Sequence, residues 1–151
     1  MNALGWREWA ALPEIGVPAL RAKIDTGART SAINARGIEP FDRGGKPWVR
    51  FTLRPDRRRA EDIVCAASVT DVRVVKDSGG HAEERYVIET PLRIGERPEA
   101  WSVEITLADR AGMQFAMLVG RTAIRRRFVV DPGRSFMTGK PASPVAAGAA
   151  S

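Results

Sequence analysis

The chain has one cysteine, one histidine and one tyrosine among its 151 residues. A lone cysteine, Cys65, excludes an internal disulfide. With His81 as the single histidine and no HExxH pattern, the chain also lacks the usual ligands of a zinc centre, so we expect no metal. It contains no run of about 18 apolar residues and no basic-then-apolar leader, so we expect a cytoplasmic protein without membrane contact.

A phosphate-binding loop is missing from the sequence as well. The segment "GRSFMTGKP" has five residues between its glycines, where such a loop has four, and Pro141 stands where the loop needs Ser or Thr. We therefore expect no nucleotide and no other cofactor.

The charge balance is positive, with 24 Lys and Arg against 18 Asp and Glu and a formal net charge of +6. Such a balance favours a polyanionic partner, but charge alone does not select among nucleic acid, a ribosome and an acidic peptide. Two arginine runs, Arg57–Arg59 and Arg125–Arg127, are interpreted either as solubilising surface or as a docking patch for ribosomal RNA.

Alternating apolar residues predict a chain made mostly of strands. The predicted strands cover residues 4–12, 17–24, 49–53, 69–75, 85–94, 101–107, 115–119 and 128–130. The first two form an N-terminal hairpin around "PEIG", and "KDSGGHAEE" forms the exposed tip of a longer hairpin. The segment "RTAIRRRF" is the only predicted helix. Residues 1–139 are expected to form one domain, and the low-complexity segment 140–151 is expected to be disordered.

One aspartate stands where an apolar strand gives way to small residues, in "AKIDTGARTSAI". Asp25 follows the alternating strand, and the Thr, Gly and Ala after it let the backbone turn sharply and approach another backbone or a ligand. Taken alone, this pattern is also that of an ordinary Asx turn at a strand end.

A second motif, "MLVGRTAI", follows near the end of the chain. Together with "IDTGA", the polar hairpin between them, "GWREW…LPE", "TLADRAGM" and "FVVDP", it resembles the retropepsin-like aspartic peptidases over roughly residues 4–137. The closest resemblance is to the bacterial group associated with RimK-type glutamate ligases, often labelled "ATP-dependent zinc protease". The resemblance implies an all-β, retropepsin-like closed barrel with a flap hairpin and one short C-terminal helix.

The resemblance also implies a role for individual residues. Asp25 is the catalytic carboxylate, Thr26 links the two catalytic loops of a dimer, and Gly27 permits close backbone approach. Ala28 and Arg29 then contact substrate, although retroviral relatives carry an aspartate where this chain has Arg29. The remaining implied positions are the support beneath the loop (Leu118, Val119, Gly120 and Arg121) and the flap tip (Asp77, Ser78, Gly79, Gly80 and His81).

An aspartic peptidase needs two carboxylates that share one proton. Asp77 also begins an Asp-Ser-Gly sequence, but the residues after it are too polar to enter a buried strand, and the chain has one "LVG" partner only. We therefore predict that the second carboxylate is Asp25 of another copy, in a symmetric homodimer.

Several basic residues fall near the implied cleft. Arg21 and Lys23 precede the catalytic loop, while Arg73, Lys76 and Arg85 belong to the flap hairpin. They either contact an acidic substrate or form the solvated faces of strands. The resemblance implies a substrate with glutamate tails, added to a ribosomal protein by a RimK-type ligase. The alternative function is a non-catalytic basic β-barrel module that binds the ribosome or RNA.

Overall fold

The computed structural model describes residues 2–56, 61–76, 79–110 and 112–141. Within them lie ten strands and one turn of α-helix, α1 (Arg121–Ile124). The strands are β1 (Asn2–Leu4), β2 (Arg7–Leu12), β3 (Val17–Asp25), β4 (Ser31–Arg43), β5 (Lys46–Leu53), β6 (Ile63–Lys76), β7 (Ala82–Ile94), β8 (Trp101–Ala108), β9 (Met117–Gly120) and β10 (Phe128–Val130). The prediction of an all-β chain with a short C-terminal helix is confirmed.

Eight of the strands form one sheet in the order β2-β3-β9-β4-β5-β6-β7-β8. Additional pairings of β2 with β7 and of β4 with β8 close this sheet into rings. The rings enclose an apolar core whose largest fully buried side chains include Phe51, Leu20, Ile88 and Met117. β1 and β10 form a separate two-stranded parallel sheet.

The N-terminal hairpin places Asp25 at the end of β3, between β2 and β9 in the large sheet. β2 and β3 are antiparallel neighbours, as predicted, and β3 then runs parallel to β9, so that Asp25 and Gly120 are partners at the ends of the two strands. The alternation of Leu20, Ala22 and Ile24 with more exposed residues follows from this position, since one face of β3 packs on the core.

The flap hairpin consists of the outer parts of β6 and β7, which remain paired as far as Lys76 and Ala82. Val72 and Val74 on this part are exposed, which indicates that the hairpin extends beyond the core. Of the predicted flap tip, Gly79, Gly80 and His81 are described, whereas Asp77 and Ser78 lie outside the described residues.

Some predicted elements differ from the structure. "PEIG", which was predicted as a turn, forms a short 3₁₀ helix at Pro13–Ile15, because Pro13 suits a helix start and Gly16 adopts a left-handed conformation at its end. β6 begins at Ile63, earlier than predicted, because its first half pairs with β5. No helix in the described ranges is long and apolar enough to cross a bilayer.

The C-terminal segment, residues 131–141, packs on the N-terminal strands. Its anchor is the fully buried carboxylate of Glu8, which accepts hydrogen bonds from the amides of Gly5 (2.6 Å), Met137 (3.0 Å) and Thr138 (3.1 Å) and from the Thr138 hydroxyl (2.8 Å). Lys140, which was expected in the disordered tail, places its ammonium 4.5 Å from the ring centroid of Trp9. Residues 142–151 lie outside the described residues.

Replacing Glu8 by Ala should lower the free energy of unfolding by about 3 kcal/mol or more, because several buried donors lose a charged acceptor. Glu8→Gln keeps the shape of the side chain and should cost less. Urea denaturation measures both. As a control, Ala in place of the exposed Glu39 on β4 should change stability by less than about 0.5 kcal/mol. Equal stability of the Glu8→Ala and Glu39→Ala variants would contradict the anchoring role.

Candidate active site

The loop after β3 presents the carboxylate of Asp25 at the surface. The amide of Gly27 donates to Asp25 Oδ1 (3.1 Å), and the amide of Ala28 donates to the Asp25 carbonyl (3.2 Å), which together form a tight Asx-type turn. Asp25 is half-buried, while Thr26 and Gly27 are exposed. The turn and the catalytic interpretation are therefore compatible, since the same turn orients the carboxylate and leaves Asp25 Oδ2 without a hydrogen bond from any described residue.

The start of α1 holds this loop from below. The amide of Arg121 donates to the Ala28 carbonyl (2.7 Å) and that of Thr122 to the Arg29 carbonyl (3.1 Å). The guanidinium of Arg121 also donates to the Thr26 carbonyl (3.2 Å). The first amides of a helix have no partner within the helix, so the loop carbonyls satisfy them. The predicted support from Arg121 thus corresponds to direct contacts with the loop.

Gly120 is required by a close approach of two backbones. A Cβ on Gly120 would overlap the carbonyl group of Thr30 and lie 2.9 Å from the amide nitrogen of Ser31. The amide of Gly120 donates to the hydroxyl of Ser31, which is 1% exposed, at 3.0 Å. Sequence analysis missed Ser31; its only signal is a small polar residue at the start of the strand that follows the loop.

A groove begins beside the Asp25 loop. Its first cavity has a volume of about 180 Å³ and is lined by Ala28, Thr30, Ala32, Arg85, Thr106, Ala108, Arg110, Met113 and Leu118. Its second cavity, of about 410 Å³, lies under the flap hairpin and is lined by Val75, Lys76, His81, Glu83, Arg85 and Arg110. Arg85 and Arg110 line both cavities, so the two cavities adjoin at these side chains, between the Asp25 loop and the flap hairpin.

Arg85 is the most enclosed cation of this groove. Its side chain is 10% exposed, and its Nε is buried without a hydrogen-bond partner among the described residues. The nearest carboxylate in an ion pair is Glu83, at 3.6 Å from Nη2, which is too long for a good hydrogen bond. An arginine held in this way retains donors that a second carboxylate could use.

Arg110 was not predicted as a site residue. It lies just after β8, where its amide donates to the side-chain oxygen of Asn34 (3.1 Å), and it forms no ion pair with any residue in the described ranges. The motif "TLADRAGM" contributed to the family resemblance but implied no role for Arg110, because only the return of the chain from β8 to β9 brings Arg110 into the same cavity as Arg85.

The other predicted cations lie in different surroundings. Arg73 pairs with Glu104 (2.6 Å) and Asp71 (2.9 Å), and these hydrogen bonds raise the pKa of its guanidinium. Arg29 and Lys23 are exposed, and neither lines the groove. Arg21 lies among the rings of Trp9, Phe115 and Phe136. Lys76 lines the groove under the flap.

The single cysteine has no place in this chemistry. Cys65 lies on β6 in the apolar core, and burial raises the pKa of its thiol to about 11. A thiol with such a pKa stays protonated near neutral pH, so Cys65 is not a nucleophile.

The geometry of the Asp25 loop, Gly120 and α1 can be compared with known proteins. A family model described as RimB-like, retropepsin-like aspartic endopeptidase RimB, matches residues 3–141. The chain belongs to this RimB-like family. The crystal structure of a protein of unknown function from Legionella pneumophila has the same fold, with a TM-score of 0.74 and 27% identity; the match covers 91% of this chain and 98% of that one.

Longer relatives carry a different name. A probable alpha-L-glutamate ligase of Shewanella pealeana is 45% identical over 138 residues, and one of Desulfotalea psychrophila is 41% identical over 138 residues. Each match covers 91% of this chain but only 30% and 29% of the relatives, respectively. The chain thus spans less than a third of the length of these relatives, and their name describes a much longer protein.

Replacing Gly120 by Ala should lower the free energy of unfolding by about 1–3 kcal/mol, because the new methyl group must push the Thr30 backbone aside. The shift should also displace Asp25, so peptidase activity should fall even under conditions in which the variant remains folded. Thermal denaturation and a peptidase assay measure the two effects. As a stability control, Ala in place of Gly112 meets no described atom within 4 Å and should be tolerated. A Gly120→Ala variant as stable as wild type would refute the close approach.

Proposed function

We propose that the chain is an aspartic endopeptidase in which Asp25 from each of two copies forms the catalytic pair. The observation that carries this proposal is the loop itself: a carboxylate is presented at the end of a buried strand, on a turn held by Gly120, Ser31 and the first amides of α1. Membership of a family described as aspartic endopeptidases supports the same function.

The chemistry follows from two carboxylates in close contact. Because two carboxyl groups this close together cannot both be ionised, the pair holds one proton. The ionised Asp25 takes a proton from a water molecule while the water oxygen attacks the carbon of the peptide carbonyl. The protonated Asp25 of the other copy donates its proton to the carbonyl oxygen. Proton transfer to the leaving nitrogen then breaks the C–N bond. The pair titrates as one unit.

A surface next to the loop suits contact with a second copy. A groove of about 420 Å³ is lined by Thr26, Ile124, Phe128 and Val129, together with Arg121, Arg125, Val130 and Pro132. Val129 on β10 is 52% exposed, and among the described strands β10 pairs with β1 alone. Thr26 belongs to both this groove and the catalytic loop, so a copy docked here brings the two Asp25 loops together.

The groove beside the loop favours an acidic peptide as substrate. Arg85 and Arg110 line both of its cavities, and Lys76 adds a third cation under the flap. Arginine can hold a carboxylate by two parallel hydrogen bonds. A chain of glutamates presents one carboxylate per residue, and the relatives named as glutamate ligases are consistent with this class of substrate. The proposed substrate is a glutamate tail on a ribosomal protein.

The Asp25→Asn variant is expected to lose peptidase activity while it keeps its fold, because the amide cannot act as a base. Adding an excess of this variant to wild type should also lower wild-type activity, since mixed dimers hold a single catalytic carboxylate. The assay uses a fluorogenic oligoglutamate peptide, with circular dichroism to verify folding.

Two matched variants complete that experiment. Asp42→Asn, near the end of β4, where the Asp42 carboxylate accepts a hydrogen bond from the amide of Gly45, should retain full activity. Asp77→Asn should retain most activity, and a loss as large as that of Asp25→Asn would show that one chain supplies both carboxylates. Unchanged activity in chelator and without ATP is expected. A folded chain that binds acidic peptide or RNA but never cleaves would instead support the non-catalytic binding module.

Replacing Arg85 by Gln should lower kcat/KM for oligoglutamate by about 10- to 100-fold, the effect of one charge-assisted hydrogen bond. The matched oligoglutamine peptide should lose much less. Arg73→Gln, which removes a guanidinium already held by two carboxylates, and Arg29→Ala should have smaller effects. An Arg85→Gln enzyme that still prefers glutamate as strongly as wild type would show that the groove does not read the acidic side chains.

A further inference from the structure

A separate, arginine-lined cavity lies beside the groove. It has a volume of about 360 Å³, and four arginines line it: Arg21, Arg36, Arg54 and Arg110. Arg110 and Met113 also line the first cavity of the groove, next to Ala28. The groove and this arginine-lined cavity therefore adjoin at these side chains. A ligand that fills the groove can continue past Arg110 into the arginine-lined cavity.

The wall of this cavity carries more positive than negative charge. Asp56 and Asp109 are its acidic members. Arg36 and Arg54 share one carboxylate, that of Asp62, at 2.9 Å and 3.3 Å. Arg21 and Arg110 form no ion pair with residues that the structure describes. Four guanidinium groups thus face fewer carboxylates than they could bind, which favours an anionic ligand.

Arg21 is held in place by apolar contacts. Its guanidinium carbon lies 5.4 Å from the ring centroid of Phe136 and 6.0 Å from those of Trp9 and Phe115. Its Nε is buried and has no hydrogen-bond partner within the described part of the chain. Leaving a buried donor unpaired costs free energy, which a carboxylate at this wall would offset. Phe115 and Met113 offer apolar surface to the methylene groups of a glutamate side chain.

We propose that this cavity is a secondary binding site for the carboxylates of an acidic peptide, which holds the part of a glutamate tail that extends beyond the groove. The inference rests on the proposed function for its choice of ligand, but peptide binding at this cavity does not depend on catalysis. It makes the enzyme favour long tails over short ones, because only a long tail occupies both spaces. The effect falls on binding and KM, since Arg36 and Arg54 line this cavity but neither cavity of the groove.

The experiment compares tetraglutamate with decaglutamate in wild type and in the Arg36→Gln/Arg54→Gln double variant. Both arginines are about half exposed, so the variant should fold. Fluorescence anisotropy with labelled peptides, in the inactive Asp25→Asn background, measures binding without cleavage. The Kd of decaglutamate should rise about five- to tenfold, as expected for two exposed charge contacts, and that of tetraglutamate should change by less than about twofold. In the active enzyme, KM for decaglutamate should rise while kcat stays constant.

A matched double variant, Arg50→Gln/Arg134→Gln, removes the same charge at exposed positions outside the cavity. The secondary site is refuted if this control variant weakens decaglutamate binding as much as the cavity variant does. It is also refuted if the cavity variant weakens the binding of both peptides equally. A homopolymeric RNA that binds the cavity arginines more tightly than decaglutamate would also overturn it. If wild type cleaves neither peptide while decaglutamate binding still depends on Arg36 and Arg54, the peptidase proposal fails and the secondary site stands.

Discussion

The close backbone contact of Gly120 with Thr30 and Ser31 is the constraint on which the candidate active site depends. β3 and β9 run parallel and end side by side, and β4 pairs with β9 from the other side. The chain must therefore leave β3 at Asp25 and begin β4 at Ser31 across the end of β9. A side chain at the last position of β9 would keep the loop away. The position of the Asp25 carboxylate is thus set by a steric condition at Gly120, a residue with no reactive group.

The proposed function requires an acidic substrate to approach a catalytic pair that is itself acidic. At about 4 Å and an effective dielectric near 20, one substrate carboxylate and one ionised aspartate repel each other by roughly 4 kcal/mol. Exposed cations such as Arg29 and Lys23 offset little of this, because solvent and salt screen them. Arg85 is in a different position, since its side chain is 10% exposed and lines a cavity that begins at Ala28. Burial that costs stability in the free protein therefore strengthens the attraction for an incoming carboxylate.

Local patterns in the sequence predicted the local structure. The alternation of apolar residues gave the N-terminal hairpin, the flap hairpin and β8, and the small residues after Asp25 gave the turn that presents the carboxylate. Ser31, Arg110 and Glu8 were missed for a common reason. Each contacts or lies beside residues that are distant in sequence, so no local spacing reveals it. Ser31 accepts a hydrogen bond from Gly120, Arg110 lines the same cavity as Arg85, and Glu8 accepts a hydrogen bond from Thr138. The extent of β6 was underestimated because its pairing with β5 depends on the same tertiary arrangement.

An unpaired guanidinium does not by itself mark a binding site in this fold. The Nε atoms of Arg93 and Arg97 are also buried without a partner in the described ranges, and Arg97 pairs with Glu99 through its other end. What distinguishes Arg85 and Arg21 is that each borders a cavity, and that Arg110 lies between the two cavities. The same reasoning separates Arg73 from Arg85, its partner across the flap hairpin, because Glu104 and Asp71 already hold Arg73. Two arginines that face each other in one hairpin therefore have different surroundings: Arg73 fastens the strand to β8, and Arg85 lines the groove.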